Sequence, residues 1–345
     1  MHVRFWDTFS NDLGIDLGTS NTLMYVRDKG IVVNEPTVLA INTKTQHILA
    51  VGEEAKKMFG KAPSYISTIQ PLVGGVISDF EATEKLINYF LDKVTHERWG
   101  WARRPLVVIG IPLDVTEVER KAVQDAVLRA GAREVYLVEE PMAAAIGARL
   151  PVEESIGNFI VDIGGGTTDI AIVSLGGLVV WKSIRTAGDE MNEQIALYIR
   201  ENFNLLIGLR TAEDIKIKIG SAYPSRDTVE MRIRGRDLLS GLPRELIIND
   251  GHVREALRKS IKLITETIKS TIEIAPPEMS SDIYERGVVL TGGGALLKQL
   301  DVLISKEISI PVSITDDPLT TVVRGTGIIL ENTELLAKIG IQREE

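Results

Sequence analysis

Two short segments carry residue types suited to phosphate chemistry, and they match each other. One is Gly14-Ile15-Asp16-Leu17-Gly18-Thr19-Ser20-Asn21-Thr22, and the other is Val161-Asp162-Ile163-Gly164-Gly165-Gly166-Thr167-Thr168-Asp169. Each is an apolar run, an Asp, an apolar residue, and a Gly/Thr/Ser turn that leads into a second apolar run. This pattern predicts a strand, a tight turn and a second strand. Glycines let backbone N–H groups approach phosphate oxygens closely, and Thr and Ser hydroxyls add donors without bulk. Asp16 and Asp162 then stand at strand ends, where a carboxylate can hold Mg²⁺ through retained waters while the ion bridges phosphates. Two such hairpins in one chain imply two lobes serving one ligand, a nucleoside triphosphate. A single glycine hairpin is an ordinary turn; two copies, each with its Asp, favour the chemical reading.

Three further segments qualify. Arg286-Gly287-Val288-Val289-Leu290-Thr291-Gly292-Gly293-Gly294-Ala295 predicts strand, glycine turn and helix, aiming N–H groups and a positive dipole end above the turn. A tight connection with no ligand fits it equally well. In Glu139-Glu140-Pro141-Met142-Ala143-Ala144-Ala145, Pro141 suits a helix start, so Glu140 falls at a strand–helix junction. A carboxylate there can orient an attacking water, or simply complement the helix N-terminus; the residues leave both open. Thr211-Ala212-Glu213-Asp214-Ile215-Lys216 opens a short helix. Glu213 can accept from a ribose and Lys216 can line the base or phosphate side, although the residues alone favour a solvated charged face.

These segments need a frame. The 345 residues allow two domains. With 44% hydrophobic and 25% charged residues the chain has an ordinary globular composition. A net charge of −9 opposes nucleic-acid binding. The absence of cysteine excludes disulfides and zinc–thiolate sites and suits a reducing compartment. No apolar run approaches the ~20 residues of a spanning helix, and no G-x-x-x-x-G-K-[ST] sequence occurs.

Strands are expected at 31–33, 37–41, 106–111, 135–138, 159–162, 288–291 and 312–314, with helices between them. Ser78-Asp79-Phe80-Glu81 reads as a capping box before a helix with Ile87, Phe90, Leu91 and Val94 on one face. Thr116-Glu117-Val118-Glu119 is a second box, whose helix should end at Gly131. Val253, Leu257, Ile261, Ile264, Ile268 and Ile272 mark a long amphipathic helix stopped by Pro276-Pro277. Strands alternating with helices indicate an α/β architecture.

Together the motifs resemble the actin/sugar-kinase/heat-shock-chaperone ATPase superfamily and, within it, the MreB family of bacterial actins. The resemblance runs from about Asn11 to about Leu336. It is carried by Asp16-Leu17-Gly18-Thr19, Asn34-Glu35-Pro36-Thr37, Glu140-Pro141-Met142-Ala143-Ala144-Ala145-Ile146-Gly147, Asp162-Ile163-Gly164-Gly165-Gly166-Thr167-Thr168, Ala187-Gly188-Asp189-Glu190-Met191 and Leu290-Thr291-Gly292-Gly293-Gly294. Ser20 stands where the group commonly has Ala and Asp169 where it commonly has Glu. Residues 70–76 lack the charges often found in that connection.

The resemblance implies an actin-like ATPase fold of two related lobes, each with a mixed β-sheet and flanking helices, with the nucleotide in the interlobe cleft. Lobe I would comprise 1–145 and 315–345, with 33–67 as a smaller subdomain IB inserted in IA. Lobe II would comprise 146–314, with about 183–250 as IIB inserted in IIA. ATP or ADP would meet Gly18, Thr19, Ser20 and Asn21 from one turn and Gly164, Gly165 and Gly166 from the other. Glu213, Asp214, Ile215 and Lys216 would contact ribose and base, with Gly292, Gly293, Gly294 and Ala295 beneath the nucleotide. Asp16 and Asp162 would serve Mg²⁺ through water, and Glu140 and Thr167 would position the attacking water. Positioning and electrostatics dominate such phosphoryl transfer, so a slow ATPase is expected.

The resemblance further implies a cytoskeletal role: ATP-dependent double filaments on the inner face of the plasma membrane that direct cell-wall synthesis and rod shape. The implied partners are the chain itself, the membrane, and membrane proteins of the cell-wall elongation machinery. No nucleic acid is expected among the partners. The implied location is cytoplasmic and peripheral to the membrane. The competing reading is a soluble actin-fold ATP-dependent kinase or a non-polymerising paralogue. Two segments read as membrane contacts. Phe5, Trp6 and Phe9 share a face with Leu13 if that segment is helical, and Trp99 and Trp101 lie beside Arg98, Arg103 and Arg104. Tryptophans beside arginines suit the headgroup region of an anionic bilayer; docking on their own domain is the alternative.

Overall fold

The computed structural model describes residues 12–95, 104–224 and 227–340. By contact the chain separates into two compact units. The first takes the chain up to Ile156, Val173–Leu178, and the chain from Thr320 on; the second takes Gly157–Ile172 and Val179–Leu319. The boundaries expected from the resemblance, 145/146 and 314/315, lie near these crossings without coinciding with them.

The elements follow in chain order. They begin with β1 (Leu13–Leu17), β2 (Asn21–Val26), β3 (Gly30–Pro36), β4 (Leu39–Asn42), β5 (Ile48–Val51), α1 (Glu53–Met58) and β6 (Ile66–Ile69). Next come β7 (Leu72–Val73), β8 (Val76–Ile77), α2 (Phe80–Thr95), β9 (Leu106–Ile111), α3 (Glu117–Arg129), β10 (Glu134–Glu139) and α4 (Glu140–Gly147). The middle holds β11 (Asn158–Ile163), β12 (Thr168–Ser174), β13 (Gly177–Ile184), α5 (Gly188–Phe203), β14 (Leu205–Leu206) and α6 (Leu209–Ile219). Then follow β15 (Glu230–Asp237), β16 (Pro243–Asn249), α7 (Asp250–Glu273), α8 (Pro277–Arg286), β17 (Val288–Thr291), a 3-10 turn (Gly293–Leu296), α9 (Leu300–Ile308) and β18 (Val312–Ile314). The chain closes with α10 (Thr321–Glu331) and α11 (Thr333–Ile339).

In the first unit the main sheet runs β10-β9-β1-β2-β3. β1 pairs antiparallel with β2 and parallel with β9, which pairs parallel with β10. Period-two alternation divides its faces. Leu13, Ile15, Leu17, Val107, Ile109, Ile111, Val135 and Leu137 join one buried cluster with Leu86, Ile87, Phe90, Leu91 and Val94 of α2. Gly14, Asp16, Val108, Gly110, Tyr136 and Val138 therefore point to the opposite face. There α10 lies against β1 and β9 and packs along α4. A three-stranded sheet, β5-β4-β6, packs with α1 around a small cluster of Val38, Ala40, Ala50 and Ala55, while Leu39 and Val51 join the main core.

The second unit repeats the plan. Its main sheet runs β13-β12-β11-β17-β18, with β17 parallel to both β11 and β18. Phe159, Val161 and Ile163 of β11 share a core with Val288 and Leu290 of β17 and with Leu257, Ile261, Ile264 and Ile268 of α7. A small antiparallel sheet, β14-β15-β16, precedes α7.

The helical periodicities are borne out. Ile87, Phe90, Leu91 and Val94 are buried, as are the α7 positions up to Ile268, while Ile272 is partly buried. Thr116 and Glu119 form the reciprocal capping box of α3, whose C-terminus is followed by Gly131 at φ +110°. Three details differ. At α2 it is Asp79 whose carboxylate accepts from the N–H of Ala82, whereas Ser78 donates to the carbonyls of Gln70 and Pro71 and Glu81 turns to Lys85. Pro277 does not merely stop α7: it enters the first turn of α8. The segment after β17 forms a 3-10 turn, and the α-helix begins only at Leu300.

Strands β5, β6, β13, β15 and β16, and the two-residue β7, β8 and β14, are absent from the sequence expectations. β15 shows why: Arg232, Arg234 and Arg236 are exposed and alternate with the buried Ile233, so no apolar run advertises the strand.

Candidate functional site

In the first unit the turn between β1 and β2 is closed by the N–H of Gly18 donating to the Asn21 carbonyl at 3.1 Å. Four hydrogen bonds brace it. The Thr37 hydroxyl donates to the Gly18 carbonyl at 2.7 Å and meets the Thr22 hydroxyl at 2.9 Å. The N–H of Thr37 donates to the Ser20 carbonyl at 3.0 Å. The N–H of Gly75 donates to the Thr19 hydroxyl at 2.9 Å. Gly75 belongs to the two-residue hairpin between β7 and β8, where Gly74 and Gly75 take φ +57° and +79°, the pair of positive values a type I′ turn requires. The charge-free segment 70–76 is thus a brace for the turn. Thr19 spends an acceptor lone pair on it and keeps its O–H for donation.

Asp16 precedes this turn on the α4/α10 face of the sheet, directly opposite Gly110 of β9. It is half-buried, and burial raises its carboxyl pKa from the ordinary 3.8 to about 7. Glu140 is the first residue of α4, with Pro141 in the first turn, and it is buried. A Cβ at Gly110 would stand 3.3 Å from Cγ of Glu140, so the Glu140 side chain lies over the strand position beside Asp16.

In the second unit the matching turn is closed by the N–H of Gly164 donating to the Thr167 carbonyl at 2.9 Å. Its braces come from a helix. The N–H groups of Gly188 and Asp189, at the start of α5, donate to the carbonyls of Gly164 (3.1 Å) and Gly165 (2.8 Å). Lys216 of α6 donates from Nζ to the Gly188 carbonyl at 2.7 Å, tying α6 to the same place. Thr168 donates its hydroxyl to the Thr186 carbonyl at 2.7 Å. Asp162 is buried beside Thr291 of β17. Gly292 follows at φ +79°, and a Cβ there would fall 2.3 Å from Oδ1 of Asp162 and 2.4 Å from the Ile163 carbonyl. Only glycine allows this approach.

The first unit therefore gathers Asp16, Gly18, Thr19, Ser20, Asn21 and Glu140. The second gathers Asp162, Gly164, Gly165, Gly166, Thr167, Lys216 and Gly292. Glu213 is half-buried one helical turn before Lys216, while Asp214 is exposed. The side chains of Ile215 and Ala295 are fully buried in the second unit's core. Gly293 is exposed and Gly294 packs on Ile163. α6 opens at Leu209, before Thr211. Phe5, Trp6, Phe9, Trp99 and Trp101 lie outside the described residues; Leu13 is a buried residue of β1.

Among the described residues no three His, Cys, Asp or Glu side chains cluster as a metal cage. Lone carboxylates beside glycine turns fit Mg²⁺, which keeps most of its waters and takes phosphate oxygens as ligands. Thr37, Gly75, Gly110 and Gly188 are the site residues that the chemistry-based reading missed. Gly110 carried a signal, since an isolated glycine inside an apolar strand marks a close approach. Gly75 carried none and Thr37 stands out only within the Asn34-Glu35-Pro36-Thr37 motif of the resemblance, because both act through contacts distant in sequence.

Residues 10–338 match the family model described as MreB/Mbl protein. The chain belongs to the MreB/Mbl family. It is 47% identical over 330 residues to the cell shape-determining protein Mbl of Bacillus subtilis, covering 96% of this chain and 98% of the relative. Identity to the cell shape-determining protein MreB of Escherichia coli is 48% over 339 residues, 97% of each. The crystal structure of MreB5 of Spiroplasma citri bound to ADP superposes with a TM-score of 0.89 at 38% identity, covering 94% of this chain and 97% of that one. The same protein bound to AMPPNP gives the same TM-score. The fold is the actin-like ATPase fold that MreB/Mbl relatives share, with a sheet in each lobe as expected.

Proposed function

We propose that this chain binds and slowly hydrolyses Mg-ATP and uses the nucleotide to assemble into paired filaments. The observation that carries this reading is the duplicated Asp–Gly–Thr turn, placed at the same strand in two sheets of the same order. Relatives at 38% identity that hold ADP and AMPPNP support it. In this reading the turn residues Gly18–Asn21 and Gly164–Gly166 donate to phosphate, and Gly292–Ala295 with Glu213–Lys216 serve the nucleoside. Glu140 and Thr167 orient the attacking water. Asp16 and Asp162 hold the Mg²⁺, which supplies charge neutralisation at the phosphates when bound. Lobe limits of 1–145 with 315–345 and 146–314, with inserted subdomains at 33–67 and 183–250, belong to the same reading.

The filaments would work at the inner face of the cytoplasmic membrane with membrane proteins of the cell-wall elongation machinery, setting rod shape. Family membership and the tryptophan–arginine segments support this part. No helix among the described residues is long and apolar enough to cross a membrane, and the attachment in this reading is peripheral. Electron microscopy of the purified protein with Mg-ATP, with and without anionic liposomes, tests the reading. Paired filaments on lipid are the expected result. Monodisperse particles under every condition, with ATP binding confirmed, would overturn assembly and leave the soluble-kinase alternative.

A further inference from the structure

The unexplained feature of the first unit is the glycine in the middle of β9. Leu106–Ile111 is a central strand, hydrogen-bonded to β1 on one side and β10 on the other. Glycine weakens such a strand, because it has no side chain to pack and loses the most backbone freedom on folding. Gly110 does not have a positive φ, so conformation does not require it. Space does. A Cβ at this position would stand 3.3 Å from Cγ of Glu140 and 3.4 Å from Cγ1 of Val322.

Three elements meet over that one position. β1 brings Asp16 to the register place beside Gly110. α4 brings Glu140 from its first residue. α10 brings Val322 and locks α4 in place: a Cβ at Gly325 would fall 1.8 Å from the Ala143 carbonyl oxygen, and one at Gly147 would fall 1.9 Å from that of Thr321. The two helices therefore touch backbone to backbone, which fixes α4 against α10. With α4 held in this way, a side chain at position 110 would press on the base of the Glu140 side chain, which would have to shift by a few tenths of an ångström.

We propose that Gly110 is a positioning residue for hydrolysis: the slot it leaves open sets where the Glu140 carboxylate stands relative to Asp16. This rests on the reading of Glu140 as the residue that orients the attacking water. A side chain at 110 would move that carboxylate by tenths of an ångström or turn it to another rotamer without touching either phosphate-binding turn. Because catalysis by orientation is lost steeply with misplacement, turnover falls while nucleotide affinity holds.

The test is phosphate release under saturating Mg-ATP together with the Kd for ATP, for the wild type, Gly110→Ala, Glu140→Ala and the double variant. The expected result is turnover lowered on the order of tenfold by Gly110→Ala with an unchanged Kd, and no further loss when Gly110→Ala is added to Glu140→Ala. That non-additivity is the signature of one residue acting through the other. Normal turnover in Glu140→Ala would instead overturn the functional reading of Glu140 itself. A slow Glu140→Ala beside a normal Gly110→Ala, or additive losses in the double variant, would overturn the positioning role alone. If Gly110→Ala loses ATP binding through misfolding, Val322→Ile narrows the same slot from the helix side; turnover at the wild-type level in that variant overturns the proposal.

Discussion

The two Asp–Gly–Thr turns follow one plan and are held by different means. Both follow the first strand of a meander in a five-stranded sheet of the same order, and both close with a glycine N–H on the carbonyl three residues on. The first is braced by short side chains and another turn: Thr37, Thr22 and the Gly75 N–H. The second is braced by the start of a sixteen-residue helix, α5, with Lys216 reinforcing it and Gly292 pressed against its Asp. A turn held by a helix end and by backbone contact is rigid at a cost in sequence freedom. A turn held by hydroxyls depends on a few neutral hydrogen bonds, each contributing on the order of 1 kcal/mol. The duplicated motif therefore encodes the same local geometry twice, while the surroundings decide how firmly it is kept.

Four substitutions sharpen or break this contrast. The largest effect is expected from Gly292→Ala, which places a methyl against Oδ1 of Asp162 and the Ile163 carbonyl in a backbone conformation that alanine avoids. It should lower stability by about 3 kcal/mol or more, read by thermal unfolding. Gly18→Ala is the counterpart in the first turn: its Cβ would meet the Asn21 carbonyl at 2.8 Å at an ordinary φ. It should cost about 1–3 kcal/mol. Equal losses at the two sites would remove the claim that the second turn is the more tightly built.

Next comes the hydroxyl brace. Thr37→Val leaves the Gly18 carbonyl and the Thr22 hydroxyl short of a partner in a buried place. We expect about 1–3 kcal/mol of destabilisation and weaker ATP binding. Thr168→Val removes one bond to the Thr186 carbonyl, and since the α5 N–H groups still hold the second turn, ATP affinity should stay within about twofold. Calorimetric titration of ATP into both variants separates them.

A smaller effect follows from the raised pKa of Asp16. Burial favours its neutral form, so its contribution to folding without metal is fully present below the unfolded pKa of about 4. That contribution is lost as pH rises through the folded value of about 7. Asp16→Asn should therefore stabilise the metal-free protein at pH 8 by about 1–2 kcal/mol and change little at pH 4. In the wild type, Mg-ATP binding should weaken as pH falls from 8 to 6, because the protonated carboxyl no longer serves the ion. A pH-independent Mg-ATP affinity would remove Asp16 from that role. The smallest effect on chemistry is expected from Trp99→Ser with Trp101→Ser, which should reduce co-flotation with anionic liposomes and leave ATP hydrolysis within about twofold. Unchanged flotation would leave those tryptophans to a role within the chain.

Much of the architecture was legible because it is written locally. The helix faces of α2 and α7, the capping box of Thr116 and Glu119, and the strands at 106–111 and 288–291 each express a period or a cap within a few residues. The Asp–Gly–Thr turns were visible for the same reason. β15 was not, because alternate arginines broke its apolar pattern. Ile215 and Ala295 show the converse limit, since a residue inside a binding motif can spend its side chain on the core.

By itself the sequence determined two lobes with strand–turn–strand units, the family to which the chain belongs, and the residue types available for phosphate and Mg²⁺. Only the tertiary structure decided that Thr37 and Gly75 hold the first turn, that Lys216 ties α6 to α5, and that Gly110 keeps a slot for Glu140. The reason is range. Turns and caps are set by dihedral preferences and hydrogen bonds among neighbours, whereas a brace or a slot exists only when strands from distant parts of the chain come into register. A lone glycine in a strand hints that something comes close, but no local pattern records that the neighbour is a side chain thirty residues away.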